Sequence, residues 1–192
     1  VTINAATAGT VTLSTETIAA NYSDTAANLA AAFSGITTHT GNLTISEGST
    51  ATIAELVTIN AATSGTVTLS TETIAANYSD TAANLAAAFD GITTHTGTIG
   101  LSDGVAATIA ELVTINNATS GTVTLNSQTI AANYSDTAVN LAAAFSGITT
   151  HTGNLTISEG STATIAELKA INAATSGTVT LSTETIAANY SD

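Results

Sequence analysis

The chain has 192 residues, of which 14 are acidic and one, Lys169, is basic, giving a formal net charge of −13. Neutralising nucleic-acid phosphates or an anionic membrane surface takes Lys and Arg, so the composition excludes both as partners. Cys is absent and no apolar run approaches the ~18 residues of a membrane span, which excludes a disulfide framework and membrane insertion of this segment.

In chain order, Thr10-Val11-Thr12-Leu13-Ser14 alternates polar and apolar residues, the period-two signature of a half-buried strand. Val11 and Leu13 are predicted inward, Thr10 and Thr12 outward. Ser14-Thr15-Glu16 leads into Thr17-Ile18-Ala19-Ala20-Asn21-Tyr22, which reads as the second arm of a hairpin or as the continuation of one long, bent strand. Ser23-Asp24-Thr25 starts a helix with Asp24 as the expected N-cap. Its apolar face is Ala26, Leu29, Ala30 and Phe33, and Gly35 follows as the C′ residue. Thr37-Thr38-His39-Thr40-Gly41 reads as a polar turn. Asn42-Leu43-Thr44-Ile45-Ser46 is the next strand, with Leu43 and Ile45 inward, and Glu47-Gly48 turns the chain. Thr52 and Glu55 form a capping box opening a helix with Ile53, Leu56, Ile59 and Asn60, which stops near Ser64-Gly65.

All of this recurs at an offset of 56 residues, dividing the chain into repeats 1–56, 57–112 and 113–168 and a partial fourth, 169–192. Periodicity of this kind marks stacked arrays. No terminal repeat reads as a polar cap, so a segment of a longer chain is expected. Substitutions between copies report on facing. Asp90 replaces Ser34, and Lys169 replaces Val57 and Val113, so both positions are expected to reach solvent. No linker separates the repeats, because Leu56 runs into Val57 within a helix. Split at its glycines, a repeat has coils of 32 residues (Thr10 to Gly41) and 24 residues (Asn42 to Gly65). The fold class expected is an α/β repeat protein, a strand–helix solenoid with a continuous parallel β-sheet and two coils per 56-residue repeat. Two strand spacings set its rise at about 10 Å per repeat. The alternative is a string of small ββαβα globules, with a rise of roughly 25 Å or more.

The runs TIAELKAINAATSGTVTL (Thr164 to Leu181) and SDTAANLAAAF resemble repeats of very large, Ala/Thr-rich, acidic extracellular surface proteins of cyanobacteria and other bacteria. The stretch GTVTLNSQTIAANYSDTAVNLAAAF (Gly121 to Phe145) is also similar to small repeated motifs of flagellin-like and adhesin-like proteins. The resemblance implies secretion, an extracellular or cell-surface location, and a structural or adhesive role as a filament segment that self-associates by stacking. It transfers no catalytic residue.

Candidate sites are sparse. His39, His95 and His151 occur once per repeat. Equivalent positions roughly 10 Å apart cannot share a zinc ion with ligands at about 2.0–2.1 Å, so each reads as a solvated turn histidine. Asp24, Glu47 and Glu55, with Asp103 in place of Glu47, supply oxygen ligands of the kind calcium takes, but they are dispersed, and Glu16 becomes Gln128 in the third repeat. Capping is the better account of Asp24 and Glu55, and calcium is the one cofactor worth weighing. No Ser-His-Asp arrangement or phosphate loop can be assembled, so no enzyme activity is expected. Asn21-Tyr22-Ser23 and Asn42-Leu43-Thr44 match the glycosylation acceptor pattern, at about the frequency chance gives in so Ser/Thr-rich a chain. Tyr22 and Phe33 are expected core aromatics. Asn60, with copies at Asn4, Asn116 and Asn172, is expected to bond backbone groups of the neighbouring coil and fix register. Outward Thr10/Thr12, Thr66/Thr68 and Thr122/Thr124 offer a rival reading, a threonine-array binding surface like that of ice-binding solenoids, although the intervening strands, with Asn42, Thr44 and Ser46 or Thr98, Gly100 and Ser102, make the array irregular.

Overall fold

The computed structural model describes residues 2–190. The outermost positions of the first and fourth repeats, Val1 and Ser191–Asp192, lie outside the described residues. The elements in order are α1 (Thr2–Ala5), α2 (Thr15–Ala19), β1 (Tyr22–Asp24), α3 (Ala26–Phe33), β2 (Leu43–Ile45), α4 (Ile53–Ala62) and β3 (Val67–Thr68). The pattern then recurs as α5 (Thr71–Ala75), β4 (Tyr78–Asp80), α6 (Ala82–Phe89), β5 (Ile99–Leu101), α7 (Ile109–Ala118) and β6 (Val123–Thr124). The remainder is α8 (Ser127–Ala131), β7 (Tyr134–Asp136), α9 (Ala138–Ala144), β8 (Leu155–Ile157), α10 (Ile165–Ala174), β9 (Val179–Thr180) and α11 (Thr183–Ala187).

The architecture is an α/β repeat of three small parallel sheets alternating with helices. Each sheet has three strands, in the orders β1-β2-β3, β4-β5-β6 and β7-β8-β9. All pairings are parallel, with Tyr22 opposite Leu43 and Leu43 opposite Val67. In β2 and β8 the outer residues are buried and the middle one half-buried, as the alternation of Leu43, Thr44 and Ile45 requires. The helices pack in one row, α3 on α4, α4 on α6, α6 on α7, α7 on α9 and α9 on α10. The core lies between this row and the sheets, formed by Leu29, Phe33, Leu43, Ile45, Leu56 and Ile59 and their copies.

Two features depart from the sequence reading. First, Ser14 to Tyr22 is not an arm of a hairpin or a bent strand. The Ser14 side chain accepts a hydrogen bond from Thr17 N and caps the short helix α2, and the copies of Ser14 at Ser70, Asn126 and Ser182 cap α5, α8 and α11 in the same way. Without an antiparallel pair, the ββαβα globule has no counterpart among the described residues. The strand expected at Thr10–Ser14 forms only in the later copies, as β3, β6 and β9. Second, the sheet is not continuous and a repeat holds three paired strands rather than two. Two packed helices occupy about 16–20 Å along their row, whereas two strands span about 10 Å. A two-strand repeat is too short for its own helix layer. The third strand, and the short helix leading to the next sheet, make up the difference.

The long helices begin and end as their sequences dictate. Thr52 and Glu55 form the expected capping box, repeated by Thr108/Glu111 and Thr164/Glu167. Thr25, not Asp24, is the N-cap of α3, because Thr25 holds extended backbone angles and its hydroxyl accepts from Asn28 N. Asp24 instead braces this cap, accepting from Thr25 N at 2.7 Å and Asn28 Nδ2 at 2.8 Å. Gly35 follows the C-cap with φ +75°, a conformation that favours glycine. Gly97 is required by close approach, since a Cβ there would lie 1.9 Å from the Ala76 carbonyl oxygen. Asp90 and Lys169 are exposed, as their substitution pattern indicated, and Val57 is half-buried.

Candidate functional site

The most organised chemistry in the chain lies where one coil meets the next, within a repeat and at its boundary. Four kinds of side chain build that junction. The first is Asn60, on α4. Its Nδ2 donates to Ala87 O at 3.1 Å and Asp90 O at 2.9 Å, satisfying carbonyls left open at the C-terminus of α6 in the neighbouring coil. Asn116 does the same to Ala143 O and Ser146 O, both at 2.9 Å, and Asn4 to Ser34 O at 2.9 Å. The expected register role of Asn60 is therefore realised in these three copies. Asn172 is exposed.

The second group, Ser70, Thr73 and Tyr78, was missed by sequence reasoning. These residues grip the loop that follows β2. Thr73 Oγ1 accepts from Ala51 N at 3.0 Å and donates to Ser49 O at 3.1 Å. Ser70 Oγ also donates to Ser49 O, and Tyr78 Oη donates to Ala51 O at 2.8 Å. Ser70 and Thr73 are completely buried. The grip recurs between Thr129 and Ala107 N at 2.9 Å and between Tyr134 and Ala107 O at 2.7 Å. In that copy Asn126 stands for Ser70 and donates to Ser102 O at 2.8 Å. The exchange of Ser for Asn, both strong N-cap residues, was the available signal that this turn opens a helix.

The carboxylates form the third group. Glu47 accepts from Thr71, and Glu72 accepts from Gly48 N at 3.0 Å, so each of two stacked loops bonds the other. In the last full junction Glu159 and Glu184 repeat this with Thr183 and Gly160. Hydrogen bonds from Asn28 and the Thr25 amide hold the Asp24 carboxyl below its ordinary range. Among the described residues, no three His, Asp or Glu side chains come together in a way that could hold a metal ion.

The fourth group is histidine, and here the expectation of a solvated turn is wrong. His39, His95 and His151 are each about 1% exposed. The backbone of His95 is tied to the end of α7 by His95 N–H to Ala118 O at 3.1 Å and Ser120 N–H to His95 O at 3.0 Å. That parallel bridge turns the ring inward, onto Tyr78 (centroids 5.5 Å apart) and Phe89 (4.9 Å), which themselves pack at 5.6 Å. The same three-ring cluster forms at Tyr22, Phe33 and His39 and at Tyr134, Phe145 and His151. Among the described residues, no partner meets hydrogen-bond geometry at either ring nitrogen of the three. Burial pushes all three imidazoles below their ordinary value, offset in part by nearby backbone carbonyls, those of Thr17 and Ala20 for His39, Thr73 for His95 and Thr129 for His151. Tyr22 and Phe33 thus serve the core, as expected.

The outward strand rows read Asn21–Asn42–Thr66 and Ser23–Thr44–Thr68, then Asn77–Thr98–Thr122 and Ser79–Gly100–Thr124. They are uncharged, but Asn, Ser and Gly break the threonine lattice. An open cavity of about 420 Å³ lies at the first repeat, lined by Leu13, Tyr22, Leu29, Phe33 and Ile36 among others. No helix among the described residues is long and apolar enough to cross a membrane. The chain matches no protein-family model, no curated protein and no solved structure.

Proposed function

We propose that this chain is a non-enzymatic segment of a secreted bacterial surface or extracellular filament protein, structural or adhesive in role, in which repeats stack as a solenoid into a rod. The observation that carries this reading is the recurrence of the same tyrosine bond at successive repeat boundaries and of the same asparagine bond between stacked coils, alongside a row of helices packed from one repeat to the next. Such a design makes stability the sum of unit terms and nearest-neighbour terms. The acidic exterior keeps rods apart from one another, and self-association proceeds along the axis. The interrupted threonine rows leave less to favour a binding lattice.

Two helices per repeat set the rise at about 16–20 Å, in place of the 10 Å that two strands would give. The test is a series of chains with one, two, three and four repeats. A single 56-residue repeat is expected to be unfolded by circular dichroism. Each added repeat should raise the denaturant midpoint, and solution scattering should show the length growing by about 16–20 Å each time. A single repeat that folds as a monomer with the stability of the longest chain refutes the reading.

A further inference from the structure

We propose that His39, His95 and His151 make the fold acid-labile: an uncharged imidazole closes the core of each repeat, and a proton on it opens that repeat. The inference rests on burial and on the missing partners, and it holds whether or not the repeats build a rod. A neutral imidazole offers one donor and one acceptor, and an imidazolium offers two donors. Among the described residues no acceptor meets hydrogen-bond geometry at either nitrogen of the three rings, and the groups that favour their charged form are single backbone carbonyls, of Thr17 and Ala20 at His39, Thr73 at His95 and Thr129 at His151. A charge placed between Tyr78 and Phe89 would be buried and uncompensated, which proteins avoid by keeping the group neutral or by unfolding.

The surroundings offer no counter-charge. Around His95, β4 contributes Tyr78, whose hydroxyl is committed to Ala51 O, and Asp80, the copy of Asp24, which accepts from Asn84 and the Thr81 amide. α5 contributes Glu72, which is exposed. α7 contributes Glu111, engaged in its own capping box with Thr108. Asp90, after α6, is exposed. The influences that shift the three rings are desolvation and backbone carbonyls, with no carboxylate and no Lys169 among them.

The sign follows from linkage. In the unfolded chain each histidine takes up its proton near its ordinary value of about 6.5. In the folded chain uptake is displaced to lower pH. Below about pH 6.5 the unfolded state therefore binds more protons, and stability falls as pH falls until the folded rings also titrate. Each ring multiplies the unfolding equilibrium constant by up to about tenfold per pH unit, and three rings by up to about a thousandfold if the chain opens as one unit. Carboxylates such as Asp24, held below their ordinary range, lose their contribution only in stronger acid, so the two effects occupy separate windows.

The experiment combines proton NMR of the imidazole carbon-bound protons with denaturant unfolding between pH 8 and pH 5 on the full chain. The three ring signals of the folded chain should titrate below their ordinary value of about 6.5 while the denaturant midpoint falls. A chain carrying His39→Gln, His95→Gln and His151→Gln should lose the pH dependence of the midpoint above pH 5. Folded rings that titrate at or above 6.5 overturn the proposal, as does a triple variant that keeps the full pH dependence. If the triple variant does not fold, the ring titration of the unaltered chain decides by itself.

Discussion

The run Ser-Thr-Glu-Thr-Ile-Ala-Ala-Asn-Tyr occurs three times without change, at residues 14–22, 70–78 and 182–190, and its copies sit in different surroundings. In the second and third, Ser70, Thr73, Ser182 and Thr185 are buried, and Tyr78 and Tyr190 donate to carbonyls of the preceding repeat at 2.8 Å. In the first, Ser14 is exposed, Thr17 is half-buried, and the hydroxyls of the two bond each other at 3.0 Å. Nothing in the nine residues differs, so the difference belongs to the neighbour. What a preceding repeat supplies is the loop around Ser49 and Ala51, whose carbonyls and amide occupy these hydroxyls. Burial in this chain is a property of pairs of repeats.

The comparison breaks most visibly at leucine. Leu69 is 5% exposed, and its copy Leu13, beside the open cavity, is half-buried. Leu69→Ala should lower stability by about 2–5 kcal/mol, because it leaves a cavity in a closed core. Leu13→Ala should cost about 1 kcal/mol, since only part of the side chain leaves water on folding. Urea unfolding of the two variants side by side measures the contrast, and equal losses would mean that the neighbour contributes nothing to burial.

A hydroxyl tests the polar half of the same junction. Thr73→Val keeps the shape and strands the amide of Ala51, which has Thr73 Oγ1 as its partner. The expected loss is about 1–3 kcal/mol, the cost of an unpaired buried polar group. Thr17→Val removes a hydroxyl bonded, among the described residues, to exposed Ser14 alone, and its effect should stay within about 0.5 kcal/mol. Chemical denaturation at neutral pH resolves the two.

These contrasts also explain what the sequence could reveal. The strand at Leu43–Ile45 and the helix at Ile53–Ala62 were legible because each carries its own period and, for the helix, its own capping box. The helix Thr15–Ala19 was not. Five residues are too few to show a 3.6 period, and Thr and Ile favour extended structure. The histidine was misread for a related reason. Thr-Thr-His-Thr-Gly is polar by composition, and the ring turns inward only because the backbone pairs with the end of a later helix and because Tyr and Phe arrive from two other elements. The interrupted sheet follows from the different widths of helices and strands, which no local pattern encodes. Asn60 lay between these cases. Its place on the apolar helix face was visible locally, and stacking suggested that its partners lay in the neighbouring coil.

Asn60 supplies the smallest contrast, and the one with a change of sign. Within a helix interior, alanine is favoured over asparagine by up to about 0.7 kcal/mol. At Asn172, exposed and without a side-chain hydrogen bond among the described residues, that preference acts alone, and Asn172→Ala should raise stability by a few tenths of a kcal/mol. At Asn60 the same substitution also removes two hydrogen bonds to carbonyls at the end of α6, each contributing about 1 kcal/mol. The net effect there should be a loss of about 1 kcal/mol, despite the better helix former. Thermal unfolding of the two single variants reads the signs directly. A gain at both positions would show that the amide links between coils carry no net energy and that apolar packing alone holds them together.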